Sequence, residues 1–270
     1  MKVILCGDAT GGAGAERWHR SVVRSVPVSV HCCPGRPLTM ARLRTSSLVL
    51  SCAALGVLMT GCSLGFGPDK EAERTYTVPG KITALSATTH GGNIEVVPVD
   101  AGGQVKVTEK YVYNEQKPSP SHEVKDGRLT LEAEDCGMGR RCQVAYRVLL
   151  PRDASVDLRT SGGDITVRGA TGGIAAETSG GDITVKDSAA RTAKARTSGG
   201  DVDLALSTAP DDVSGRTSGG NVTIRLPKGS YAVEATTSGG NSKVSVPTDK
   251  SSAHKVTART SGGDVSVVPS

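Results

Sequence analysis

The sequence predicts an all-β solenoid of stacked coils, each about 20 residues long, and three observations predict it. A phrase, "TSGGD" or "TSGGN", recurs six times between residues 160 and 264. Apolar and polar residues alternate on both sides of it, the period of a strand rather than a helix. Aromatic residues make up only 3% of the chain, which suits a narrow aliphatic core better than the broad core of a sandwich.

From the front, the text "MARLRTSSLVLSCAALGVLMTGCSLGFG" begins at Met40. Arg42 and Arg44 precede an uncharged, mostly apolar run that ends at Cys62, the layout of an export signal. "LMTGC" resembles a bacterial lipobox, with Met59 where leucine is usual. Cys62 is then the lipidated first residue of the mature protein and 40–61 the signal peptide. A plain transmembrane anchor is the alternative, diluted by Gly, Ser and Thr. Either leaves the remainder outside the cytoplasm, because the arginines stay inside. Residues 1–39 precede the signal and read as a mis-assigned upstream segment, with Met40 the true start.

Residues 1–61 hold seven basic and two acidic residues, so the net charge of +5 falls to zero without them. The basicity of the whole chain is therefore no argument for nucleic acid. Past Cys62 the cysteines are Cys136 and Cys142 in "CGMGRRC". In an exported protein they read as a local disulfide.

Residues 62–75 read as a polar tether. From about Tyr76 to residue 150 the segments "QVKVTEKYVYN", "GRLTLEAED" and "CQVAYRVLLP" read as strands, and "NEQKPSPSHEVKDG" as a loop. From 151 to 270 the repeat takes over. The Thr of each phrase falls at Thr160, Thr178, Thr197, Thr217, Thr237 and Thr260, with steps of 18, 19, 20, 20 and 23 residues. A degenerate copy, "THGGNIEVV", starts at Thr89.

Four and two residues before the Thr, small or apolar residues recur, such as Val156 and Leu158 or Ala193 and Ala195. After the glycines an alternating pair follows, such as Ile165 and Val167 or Val202 and Leu204. The copy at Asn241 slips, with Val244 and Val246 expected to take over. The parity breaks across the glycines, which predicts a bend with glycine supplying φ > 0. Each unit is thus strand, glycine corner, strand and variable connection, stacked about 4.8 Å apart. The last coil, ending at Pro269, is expected to be a free edge.

The recurrent "SGGD-I/V-x-V" corner and the phrases "LPRDASVDLRTSGGDI" and "LPKGSYAVEATTSGGN" resemble the bacterial adhesin-like families of unknown function, of the DUF4097 and DUF2807 type. The resemblance covers most of the mature chain. It implies a right-handed single-stranded parallel β-helix, exported or membrane-tethered, and it brings no catalytic residues.

Two columns run up the predicted stack. Asp164, Asp182, Asp201 and Asp264, with Asn221 and Asn241, follow the glycines. They either cap the corner by side-chain-to-backbone bonds or, where acidic, form a calcium ladder. Arg159, Arg196, Arg216 and Arg259, with Glu177 and Thr236, precede the Thr and point outward. They either grip an anionic polymer or are surface charge that protects strand edges. His90, His122 and His254 are far apart, and no convergent acid pair marks a glycosidase. The expected function is therefore non-enzymatic: binding or adhesion by a lipid-anchored, extracytoplasmic solenoid, without cofactor or nucleic acid, its partner an envelope polysaccharide or another surface protein. The alternatives are a structural or sensory envelope protein with a protein partner, and a polysaccharide-active β-helix enzyme.

Overall fold

The structure, a computed structural model, describes residues 69–99, 103–135, 137 and 141–270. The expectations for 1–39, for the signal 40–61 and for Cys62 lie outside these residues. Among the described residues every regular element is a strand. In order they are β1 (Lys70–Val78), β2 (Ala84–Thr89), β3 (Ile94–Pro98), β4 (Val105–Tyr113), β5 (Ser121–Lys125), β6 (Arg128–Glu132) and β7 (Cys142–Leu150). The repeat region adds β8 (Ser155–Thr160), β9 (Ile165–Arg168), β10 (Ile174–Glu177), β11 (Ile183–Ser188), β12 (Thr192–Arg196) and β13 (Val202–Leu206). It closes with β14 (Asp212–Arg216), β15 (Val222–Leu226), β16 (Ala232–Thr236), β17 (Ser242–Val244), β18 (Lys255–Arg259) and β19 (Val265–Pro269).

The strands build a parallel solenoid of two sheets, one of ten strands and one of nine. Each coil gives one strand to each, as β8 and β9 do, with the Thr-Ser-Gly-Gly corner between them. Parallel pairing keeps equivalent residues in line: Ile174 lies beside Val156 and Ala193, and Ile183 beside Ile165 and Val202. The apolar pairs read from the repeat face inward and are buried, except in β16 and β17, where Val233 and Ala235 are half-buried and Val244 is exposed. Small and large residues offset each other across this narrow core. Gly215 occupies an inward place because a Cβ there would meet Val222 Cγ1 at 2.8 Å and Val202 Cγ1 at 3.2 Å.

Both ends depart from a simple chain-ordered stack. The coil β18/β19 is inserted between β14/β15 and β16/β17. The outermost coil is therefore β16/β17, not the one that ends the chain, and the free edge expected at Pro269 lies one coil further in. The 23-residue step supplies the extra chain for the return. At the other end β2/β3 lies between β6/β7 and β8/β9. The slip expected at Asn241 is also corrected: Ser242 and Val244 hold the ordinary places beside Val265 and Val267. Ser242 is tolerated on an inward position because this coil is exposed.

The region 76–150 is only partly solenoidal. β4 pairs antiparallel with both β7 and β1, and β5 pairs antiparallel with β6. The hairpin β5–β6 replaces the end of the expected loop. Asp126 (φ 50°) and Gly127 (φ 75°) form its two-residue turn, the geometry that Asp-Gly favours. β1 opens at Lys70, inside the stretch 62–75 read as tether. It pairs with β4 from Lys70 beside Tyr113 to Val78 beside Val105. Its side chains are mostly exposed, so no alternation marks it.

Candidate functional site

The corner is built from three ladders. The Thr side chain is buried and bonds in two directions. Thr197 Oγ1 donates to the carbonyl of Gly181 in the adjoining coil at 2.8 Å and accepts the amide of Gly200 at 3.4 Å. Thr160, Thr178, Thr217, Thr237 and Thr260 repeat both contacts. Thr197→Val keeps the shape and loses both bonds, at a cost of about 1–3 kcal/mol. Urea unfolding should show that loss, and a smaller one for Thr237→Val, whose exposed end coil lets water replace the bonds.

The glycines act by clearance rather than by φ. Positive φ among described glycines occurs at Gly80, Gly127, Gly137 and Gly169, none of them in a corner. A Cβ on the second corner glycine would instead fall under 3.0 Å from the backbone of the second glycine in the neighbouring coil, as at Gly181, Gly200 and Gly220. The first glycine is freer: the same atom on Gly180 or Gly199 would stand 3.7 or 3.4 Å from its nearest neighbour.

The Asp/Asn column is a cap. Asp164 Oδ1 accepts the amide of Asp182 at 2.9 Å, and Asp182 Oδ1 accepts that of Asp201 at 2.7 Å. Asp201 serves Asn221, Asn221 serves Asp264, and Asp264 serves Asn241. Asn93 opens the series on Asp164. One oxygen of each side chain before the terminal Asn241 is thus spent on the next coil's backbone, a role Asn93 and Asn221 fill as well as Asp. No group of three or more metal-ligating side chains occurs among the described residues.

The arginine column is in register on the nine-stranded sheet. Arg159, Glu177, Arg196, Arg216, Arg259 and Thr236 lie on successive rungs. They are outward-facing, in surroundings the alternation did not supply. Arg159 pairs with Asp157 at 3.3 Å, and Arg259 with Glu234. Beside the column Lys194 pairs with Asp212 at 3.7 Å. Among the described residues, no carboxylate oxygen lies within 4.0 Å of the guanidinium of Arg196 or Arg216. Over these strands the surface dips into a trough of about 380 Å³, because Ala175 and Ser214 are short where neighbouring rungs carry Asp157 and Lys194. Asp157, Lys194, Asp212 and Ser214 were not singled out from the sequence. They stand two or four residues before the column, so the same alternation puts them on its face.

Cys142 is disulfide-bonded. Its expected partner, Cys136, lies outside the described residues. The histidines serve the scaffold separately: His90 Nδ1 contacts the Ala133 carbonyl at 3.0 Å, His254 Nδ1 that of Pro210 at 2.7 Å, and His122 stacks on Tyr76. One charged group is buried without a sequence signal beyond its odd place in an apolar alternation. Glu109, on β4, is 0% exposed and accepts from Tyr76 Oη at 2.8 Å and from Tyr111 Oη.

No curated protein matches the chain. Among solved structures, a Clostridium sporogenes protein described as a "putative cell adhesion protein" is 16% identical, with a TM-score of 0.43, over 74% of this chain and all of its own. A Bacteroides fragilis "putative adhesin" is 15% identical, with a TM-score of 0.43, over 73% of this chain and 97% of its own. A Parabacteroides distasonis "putative lipid binding protein" is 10% identical, with a TM-score of 0.34, over 73% of this chain and 96% of its own. The Toastrack DUF4097 family model matches residues 82–268, nearly the whole described solenoid, and the chain belongs to that family.

Proposed function

We propose that this is a non-enzymatic, adhesion-type binding protein of the bacterial cell envelope, anchored by a lipid on Cys62 and displayed outside the cytoplasmic membrane. The observation that carries the binding role is the pair Arg196 and Arg216. The ladders consume the Thr, Asp and Asn side chains of the corner, and the core consumes the aliphatic ones. These two guanidiniums do neither, yet they are held in register on a rigid surface. The histidines support the same view, since each is tied to a different part of the scaffold rather than to a shared cleft. The run from Arg42 to Cys62 supports export and anchoring.

Cell fractionation of the full chain tests the location. The wild type should pellet with membranes and be released by detergent, and Cys62→Ala should leave the membrane or accumulate with its signal uncleaved. A wild-type protein found in the cytoplasm would end this proposal. A Cys62→Ala protein that stays in the membrane after correct processing would replace the lipid by another anchor. For the binding role, a chain lacking residues 1–61, which keeps every described strand, should co-sediment with isolated cell envelope in a saturable way.

A further inference from the structure

Resting on that binding role, we infer that the trough on the nine-stranded sheet is a subsite for the phosphodiester groups of a thread-like envelope polymer, gripped by Arg196 and Arg216. Arg196 and Arg216 are on adjacent rungs of β12 and β14, about 4.8 Å apart along the stack. A planar carboxylate is satisfied by one guanidinium fork. A tetrahedral phosphodiester has two non-bridging oxygens that diverge, and it can take a fork from each arginine. Ser214 lines the trough on the same rung as Arg216, and its hydroxyl is a further donor there.

The acids around the pair decide which phosphate source fits. Glu177 is the next rung beyond Arg196, and Asp157 and Asp212 also line the trough. A closely spaced polycarboxylate would lay charge over these acids. A polymer with one phosphate every several ångströms can seat one group on the arginines and step over Glu177. An anionic bilayer fits less well, because a flat surface cannot enter a trough and would press on the same acids. The polymer, rather than the lipid headgroup, is the ligand this face selects.

The test uses poly(glycerol phosphate) as the probe, with polygalacturonate of matched length and phosphatidylglycerol vesicles beside it, on the chain lacking residues 1–61. Fluorescence anisotropy and vesicle co-sedimentation give the affinities across a salt series. The phosphate polymer should bind best, and its affinity should fall with salt. Arg196→Gln and Arg216→Gln should each weaken it about tenfold, the scale of a charge-assisted hydrogen bond. Arg225→Gln removes the same charge from β15 on the opposite sheet, where the arginine is paired with Asp203, and should stay within about twofold of wild type. Equal binding by the Arg196→Gln/Arg216→Gln double variant overturns the subsite, and equal capture by polygalacturonate or vesicles overturns the ligand class. A protein that ignores the phosphate polymer but is retained on whole envelope sinks this inference and leaves the binding role standing. Retention on neither sinks both.

Discussion

Gly200→Ala should lower the stability of the solenoid by about 3 kcal/mol or more, whereas Gly199→Ala, one residue away, should change it by less than about 1 kcal/mol. The two substitutions add the same methyl group to the same corner. At Gly200 the new Cβ falls under 3.0 Å from the Gly181 carbonyl and the Asp182 carboxylate. The first is backbone and the second is a side-chain oxygen held by the Asp201 amide, so relief requires the coils to move apart. That movement also strains the Thr197 bond to Gly181 and the Asp201 amide bond to Asp182. At Gly199 the nearest atom is 3.4 Å away, and φ is not in the left-handed region. The smaller entropy of alanine in the unfolded chain then offsets a mild contact. Thermal unfolding should separate the two, with a fall of roughly 6–12 °C for Gly200→Ala in a chain of this size. A solenoid is held by nearest-neighbour interfaces, so the variant should also lose coils C-terminal to the break first, seen as early hydrogen exchange there. Equal melting temperatures for the two variants would mean the second glycine is not the tight point of the stack.

That contrast also marks how far the sequence was legible. The repeat gave the coil, its inward positions and the place of the corner, because every coil must solve the same packing problem and so repeats the same residues. It did not give the reason for the glycines. A glycine that clears a neighbouring backbone and a glycine with positive φ look alike in the text. Nor did it give the order of the coils at the ends, since β16 and β18 carry interchangeable patterns and stacking order depends on connection length. β1 was missed because its exposed side chains need not alternate, although its backbone is fully paired. At the candidate site the arginine column was legible from alternation. Which arginines are free was not, because pairing depends on neighbours across rungs as well as along the strand.

The same ladders leave the outer faces as the surface free to carry the proposed binding role. The corner Thr, the second glycine and the Asp or Asn each meet the neighbouring coil, so these three positions tolerate little change. The outward positions on the strands touch no backbone and can vary from coil to coil, as Arg196, Glu177 and Arg216 do. Under the proposed binding role, such a chain can change its ligand without touching the stack, and side-chain exchange on the nine-stranded sheet should alter binding long before it alters folding.

Glu109→Ala should be the most damaging single change in the antiparallel end, at about 3 kcal/mol. The carboxylate is fully buried between β1 and β7, and its removal leaves the hydroxyls of Tyr76 and Tyr111 without their acceptor. Glu109→Gln keeps an acceptor and the volume, and should lose less. The cluster also predicts the alkaline limit of the fold. Burial pushes Tyr76, Tyr111 and Tyr146 upward from the ordinary value of 10.0, and the negative Glu109 pushes them further. A raised tyrosine pKa means the folded state holds the proton more tightly than the unfolded one. The stabilisation is therefore complete below about pH 10 and is lost as pH rises through the folded values. Tyrosinate absorbance should show these three tyrosines ionising together with unfolding, at a pH well above that of a free tyrosine. If they titrate near 10 while the fold is intact, the hydroxyls are open to water and the buried carboxylate is not what holds β1 and β4 to the stack.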